Sequence, residues 1–418
     1  MTGKPHTQGS KRRARARPRV LIDDASRDGR IDIDGMLDDR GTEIIVCCGS
    51  GGVGKTTTAA ALALRAAEQG RKVCVLTIDP ARRLAQSMGL TELDNSPRPV
   101  QGVEGDGSLD AMMLDMKRTF DEVVEAHASP EKAAQILSNP FYVALSSSFA
   151  GTQEYMAMEK LGQLHSEAVA DDASSRRWDL IVVDTPPSRS ALDFLDAPER
   201  LSSLLDGRFI KLLMAPAKGP ARLLSAGLGI VTSALNKVLG AQFLTDLQTF
   251  IAAFDTLFGG FRQRAEATYA LLQAPETAFL VVAAPERAAM REAAYFVERL
   301  AGEKMPLSGL VVNRVHDDDS SGITAAAAES AAARLRDGDD ADQKTADLLT
   351  VRAERLRVGA REGRQRRGFT SAHPSVPTVS VAALSGDVHD LAALREIGRL
   401  LAGCSVRQRR CQPECCAT

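Results

Sequence analysis

Aromatic side chains are scarce in this 418-residue sequence, at 4% with a single Trp. That leaves little for the stacking platforms that grip single-stranded nucleic acid. Net charge is only −2, which gives no global attraction to nucleic acid or acidic lipid. Long apolar runs are missing too. The most membrane-like stretch, residues 223–239, contains Asn236, Lys237 and several Gly and Ser, so it is too short and too polar to cross a bilayer, and no integral membrane segment is expected. Nor is there a disulfide framework. The seven Cys are scattered, and Cys47, Cys48 and Cys74 lie inside apolar runs, which fits a reduced, cytoplasmic setting. The N-terminus is basic, from Lys11 to Arg19, but acidic residues follow where a secretion signal needs an apolar core.

What is present is a globular composition, 44% hydrophobic and 25% charged. Residues 1–40 combine the basic arm with an acidic, Gly-containing stretch and read as a disordered charged tail. From residue 41 to 402, short apolar runs alternate with helical patterns. The runs 44–48, 73–78, 109–114, 180–183, 279–282, 310–312 and 376–381 suit strands buried on both faces of a mainly parallel sheet flanked by helices. Between the fourth and fifth runs lies far more helical sequence than one crossover needs, so an inserted helical subdomain is expected at about 190–275. A charged segment at about 317–370 runs from acidic to strongly basic, and residues 403–418 form a Cys-containing tail. Cys404, Cys411, Cys415 and Cys416 are irregularly spaced there, open to a metal or redox role or to a loose tail.

The segment Gly49-Ser50-Gly51-Gly52-Val53-Gly54-Lys55-Thr56-Thr57 satisfies G-x-x-x-x-G-K-[ST], directly after a strand and before a helical run. Gly51, Gly52, Val53 and Gly54 let backbone N–H groups converge on phosphate oxygens, and the helix start at Lys55, Thr56 and Thr57 adds partial positive charge. Lys55 is expected to bridge the β- and γ-phosphates of ATP, and the Thr56 hydroxyl to hold Mg²⁺. The fold class is therefore α/β, a P-loop NTPase with a helical insertion. Asp79 ends the second strand, where open α/β sheets face their ligand. It could orient a water or a metal-bound water, cap a helix before Pro80, or both. Asp184 follows four apolar strand residues, as a Walker B carboxylate acting on Mg²⁺ through water does. The Thr185–Ser190 loop beyond it is a candidate γ-phosphate sensor.

The P-loop string, followed by Thr77-Ile78-Asp79-Pro80-Ala81 and Val183-Asp184-Thr185-Pro186-Pro187, resembles the deviant-Walker branch of P-loop ATPases. Within it the chain is similar to the arsenical-pump and tail-anchored-protein-targeting ATPases. Lesser pieces include Ala150-Gly151-Thr152-Gln153-Glu154, Val311-Val312-Asn313-Arg314 and Ser385-Gly386-Asp387-Val388-His389. The resemblance implies a dimeric cytosolic ATPase in which Asp79 activates water, Asp184 helps hold Mg²⁺ and Asn313 reads the adenine edge. It also implies a hydrophobic protein client or a membrane protein as partner.

Three departures stand out. Ser50 replaces the Lys that the family carries as second motif residue and reaches across the dimer, which points to slow hydrolysis alone or to a heterodimer with a Lys-bearing paralogue. The strand holding Asn313 is not followed by a C-x-x-C zinc motif. Arg82 and Arg83 stand where the targeting branch has a His and a polar residue.

In the insertion, Phe243, Leu247, Phe250, Ile251, Phe254, Leu257, Phe258 and Phe261 recur on one helix face, as core or as an apolar groove. Arg352, Arg355, Arg357, Arg361, Arg364, Arg366 and Arg367 form a cationic stretch, read either as a solvated helix and loop or as a phosphate-backbone surface. A non-specific DNA-binding ATPase and a low-turnover regulatory subunit are thus the alternatives. Nucleic acid is not the expected partner.

Overall fold

The computed structural model describes residues 29–79, 83–140, 142–143, 146, 152–168, 177–186, 260, 263–316 and 322–403. Its centre is one eight-stranded sheet ordered β3-β4-β2-β5-β1-β6-β7-β8. The strands are β1 (Ile44–Cys48), β2 (Lys72–Thr77), β3 (Arg98–Pro99), β4 (Ser108–Met113), β5 (Leu180–Asp184), β6 (Thr277–Ala283), β7 (Leu307–Val315) and β8 (Thr378–Ala382). Every neighbouring pair is parallel except β3 with β4. The seven apolar runs read from the sequence correspond to all strands but β3. That two-residue edge strand contains a proline, a residue tolerated at an edge because no ladder donor is needed there.

The strands are apolar throughout because both sheet faces are covered. On one face Ile44, Val46 and Cys48 pack with Phe120, Tyr155, Met158 and Phe296. These come from α4 (Met116–His127), α6 (Thr152–Ala168) and α7 (Arg287–Gly302), with α5 (Pro130–Leu137) following α4. On the other face Ile45 and Cys47 pack against the Ala-rich α2 (Lys55–Glu68), α3 (Arg83–Ser87) and α10 (Leu391–Leu401). Small side chains at Ala59, Ala60, Ala61 and Ala63 let α2 lie close to the sheet. Cys47, Cys48 and Cys74 are free and buried, as their apolar settings indicated.

Residues 29–40 depart from the expected disordered tail. Ile33–Asp38 forms α1, capped by Asp32, whose carboxylate accepts from Gly35 N at 2.9 Å. Ile33, Met36 and Leu37 have i, i+3, i+4 spacing and bury one face of that turn. Arg65 on α2 pairs with Asp34 at 2.6 Å. Beneath α1, at the end of the sheet where the strands begin, the Arg71 side chain is only 1% exposed. It donates to the carbonyls of Leu37, Asp39, Thr42 and Asp179 and, at 2.9 Å, to the Asp179 carboxylate.

The charged segment is a helical pair, α8 (Ala325–Leu335) and the 33-residue α9 (Asp340–Ala372), tied by Arg357 to Glu329. Residues 317–321 lie outside the described part, as do 187–259 and 261–262, which hold most of the insertion and its Phe stripe, and 404–418 with the terminal Cys. Residues 263–272 of the expected insertion are helical. No helix among the described residues is long and apolar enough to cross a membrane.

Candidate functional site: a phosphate-binding loop at the sheet rim

Three glycines of the loop after β1, Gly49, Gly52 and Gly54, hold conformations that no other residue adopts without strain. Gly49 has φ 148°, and a Cβ there would lie 2.1 Å from the Val282 carbonyl oxygen of β6. Gly52 and Gly54 have φ 77° and 95°, in the left-handed region that favours glycine. Gly54 then starts α2, whose first N–H groups face the rim with the helix dipole behind them.

Lys55 is 5% exposed. Its ammonium donates to the Ser50 carbonyl at 2.9 Å. Burial lowers its pKa, while the negative charges of Asp184 and Asp79 oppose the shift. The next residue reaches the neighbouring strand: the Thr56 hydroxyl donates to Asp184 Oδ2 at 2.7 Å. Thr77, at the end of β2, donates to the same oxygen at 2.9 Å. Parallel pairing of β5 with both β1 and β2 brings these groups together, since Asp184 is in register with Cys47 on one side and Thr77 on the other.

Asp184 is fully buried. Burial pushes its pKa up to about 6 against the two threonine bonds and the Lys55 charge, which lower it. Its second oxygen, Oδ1, is buried without a hydrogen-bond partner. A buried, orphaned carboxylate oxygen next to a threonine hydroxyl and a phosphate loop fits a hard cation such as Mg²⁺, which takes few protein oxygens and keeps several waters. Thr56 and Asp184 are the residues that would hold it.

Asp79 follows β2 at the same rim, half-buried, with its N–H donating to the Thr77 hydroxyl at 3.2 Å. Its carboxylate raises the pKa of both Lys55 and Asp184, so it lies within electrostatic reach of each. Residues 80–82 are outside the described part, and with them any helix start that Asp79 would cap. Thr185 is held under the loop by its hydroxyl on the Cys47 carbonyl at 2.9 Å, while 187–190 of the candidate sensor are not described.

Asn313, at the end of β7, comes to the loop. Its amide Nδ2 donates to the Val53 carbonyl at 2.9 Å and its Oδ1 accepts from Arg314 N at 2.9 Å. It is 6% exposed and packs so tightly that a Cβ on Gly54 would sit 2.2 Å from its Nδ2. The amide thus meets the loop backbone through one of its two N–H donors. Two residues were missed. Thr77 doubles the hydroxyl support of Asp184, and Arg314 donates to the Gly52 carbonyl at 3.1 Å. Thr77 carried a signal, since its place at a strand end two residues before Asp79 puts it at the ligand rim. Arg314 carried none beyond adjacency to Asn313.

A strand, a glycine loop, a helix N-terminus and a carboxylate on the adjacent parallel strand define a P-loop NTPase. Within that class, a sequence model of the anion-transporting ATPase family matches residues 42–337, and the chain belongs to that family. It is 30% identical over 170 residues to "ATPase GET3" of Malassezia globosa, covering 41% of this chain and 46% of that protein. It is 28% identical over 268 residues to the "ATPase ASNA1 homolog" of Cryptosporidium parvum, covering 64% and 63%. With "ATPase BagA" of Mycobacterium tuberculosis it shares 25% over 382 residues, covering 88% and 94%. The chain therefore spans less than two thirds of the length of the first two relatives and nearly all of the third.

Proposed function

We propose that the chain binds and hydrolyses Mg-ATP in the cytoplasm and, as a dimer, couples its nucleotide state to the handling of a hydrophobic protein or membrane partner. The observation that carries the catalytic half is the 2.7 Å contact of Thr56 with Asp184, whose other oxygen is orphaned and buried beside Lys55. In this reading the loop N–H groups and the start of α2 receive the phosphates. Lys55 exchanges the Ser50 carbonyl for phosphate oxygens. Thr56 holds Mg²⁺ directly and Asp184 through water, and the ion when bound neutralises charge on the phosphates. Asp79 orients the attacking water and receives its proton.

The partner half rests on family membership and on the apolar helical insertion legible in the sequence. Ser50 favours a second reading, a low-turnover subunit completed by a Lys-bearing paralogue, because a homodimer lacks the cation a Lys at that position would bring.

Steady-state Mg-ATP hydrolysis and mass by light scattering test both. Lys55→Ala should lower turnover by about 100-fold or more without unfolding the chain. Equal turnover in wild type and variant would refute the site. Tight nucleotide binding with negligible wild-type turnover would favour the subunit reading. Client affinity unchanged between ATP and ADP would sink the coupling, and duplex binding at low salt would revive a DNA-binding role.

A further inference from the structure

Two successive residues of β7 reach the phosphate loop, and the backbone is distorted to let them do so. Val312 is in register with Ser380 of β8, but Val315 is in register with Ala382. Three steps along β7 thus match two along β8, which is a β-bulge carrying one extra residue. The extra residue lies at Asn313–Arg314, and Arg314 has φ 59°. Among the described residues only Lys304, in the turn after α7, shares a positive φ without being glycine. A left-handed conformation costs a long side chain such as arginine on the order of 1 kcal/mol. Bulges of this kind re-aim side chains and cluster beside functional sites.

Here the result is a two-pronged grip on consecutive loop carbonyls. Asn313 donates to Val53 O at 2.9 Å and Arg314 to Gly52 O at 3.1 Å. The Arg314 N–H in turn holds Asn313 Oδ1, which fixes the amide so that its Nδ2 faces the loop. Just past the strand stands His316, whose N–H donates to Glu362 Oε2 at 2.7 Å and whose Nδ1 meets Oε1 at 2.8 Å. Glu362 is a buried carboxylate on α9, so the bulge is pinned behind as well as in front.

We propose that Arg314 is a positioning residue of the phosphate loop. By holding the Gly52 carbonyl away from the anion site, it keeps the N–H groups of Val53, Gly54 and Lys55 pointed at the phosphates. A guanidinium is the group suited to the task, because it binds a carbonyl with a charge-assisted bond and adds positive potential beside the loop. The backbone strain is the cost of presenting it. This inference rests on the nucleotide-binding reading above, and it predicts a dissociation between two effects that a purely structural residue would show together.

The test uses the full chain with Arg314→Gly, Arg314→Ala and Arg314→Lys. Glycine relieves the left-handed backbone but removes the guanidinium. Its thermal midpoint should match or exceed that of wild type, while kcat/KM for Mg-ATP falls about tenfold with most of the loss in KM. Alanine should lose both affinity and thermal stability, and lysine should recover part of the affinity. An Arg314→Gly protein with wild-type KM would overturn the proposal, leaving the bulge as backbone geometry alone.

A second readout is independent of ATP: hydrogen exchange at amides 50–56 of the ligand-free chain should be faster in Arg314→Gly than in wild type. If wild type binds no ATP, the nucleotide reading fails while the exchange measurement still decides whether Arg314 orders the loop. Unchanged exchange refutes that role.

Discussion

Asp184→Asn should stabilise the metal-free protein at neutral pH and weaken its response to magnesium. The Asp184 carboxyl is fully buried, accepts two hydroxyl bonds on Oδ2 and has no partner on Oδ1. Burial raises its pKa from 3.8 to about 6. A carboxyl with a raised folded-state pKa is stabilising in its protonated form. Its contribution is therefore fully present below about pH 4 and is lost as pH rises through about 6. A shift of roughly two pKa units corresponds to on the order of 3 kcal/mol withdrawn at pH 7 and above. Asparagine keeps the shape and an acceptor oxygen but carries no charge, so it escapes that loss.

Urea unfolding in EDTA from pH 4 to 8 reads the difference between variant and wild type, in which the titrations common to both cancel. The variant should lead by on the order of 2–3 kcal/mol at pH 7.5, and the lead should vanish toward pH 4. Adding magnesium with nucleotide should raise the wild-type midpoint by more than that of the variant, which keeps the phosphate loop but lacks the Asp184 charge. A variant no more stable than wild type at pH 7.5, or a lead that does not shrink with acid, would refute the account of a strained, cation-seeking carboxylate.

Three further outcomes are expected. Arg71→Met should cost about 3–5 kcal/mol in equilibrium unfolding, because it strands the buried carbonyls of Leu37 and Thr42, while Arg40 still holds the Asp179 carboxylate. Gly49→Ala should abolish nucleotide binding and cost about 3 kcal/mol or more, since its Cβ would meet backbone of β6 at 2.1 Å; a normal melting curve would contradict it. Ser50→Lys should raise steady-state turnover about tenfold or more in the dimer, and unchanged turnover would show that a cation at this position has no work to do here.

The strands were legible because each is a short apolar run buried on both faces, and the P-loop because its residues are contiguous. α1 was hidden by averaging, since the three apolar residues of its buried face do not stand out within a forty-residue stretch rich in charge. α9 was read as helix and loop because four of its buried residues, Ala346, Ala353, Gly359 and Gly363, are small and a fifth, Glu362, is charged, which leaves only Leu356 and Phe369 as large apolar contacts. Small residues bury a helix closely without producing an apolar stripe. Lys55, Thr56 and Asp184 were brought together by motif reading, and the structure places them in contact or in electrostatic reach. Arg314 escaped it because its role arises from a bulge that exists only once the sheet is assembled, whereas the place of Thr77 at the rim was legible and only its bond to Asp184 depends on strand register.

All but one of the strand pairings are parallel, so the sheet has two chemically different ends. Asp179, held by Arg71 and Arg40, stands just before β5, and Asp184 closes the same strand. Five residues of extended chain put about 16 Å between them. Sites that far apart with no shared partner combine without interaction energy, within about 0.5 kcal/mol. The free-energy effect of a substitution at one end is therefore expected to be the same whatever residue stands at the other.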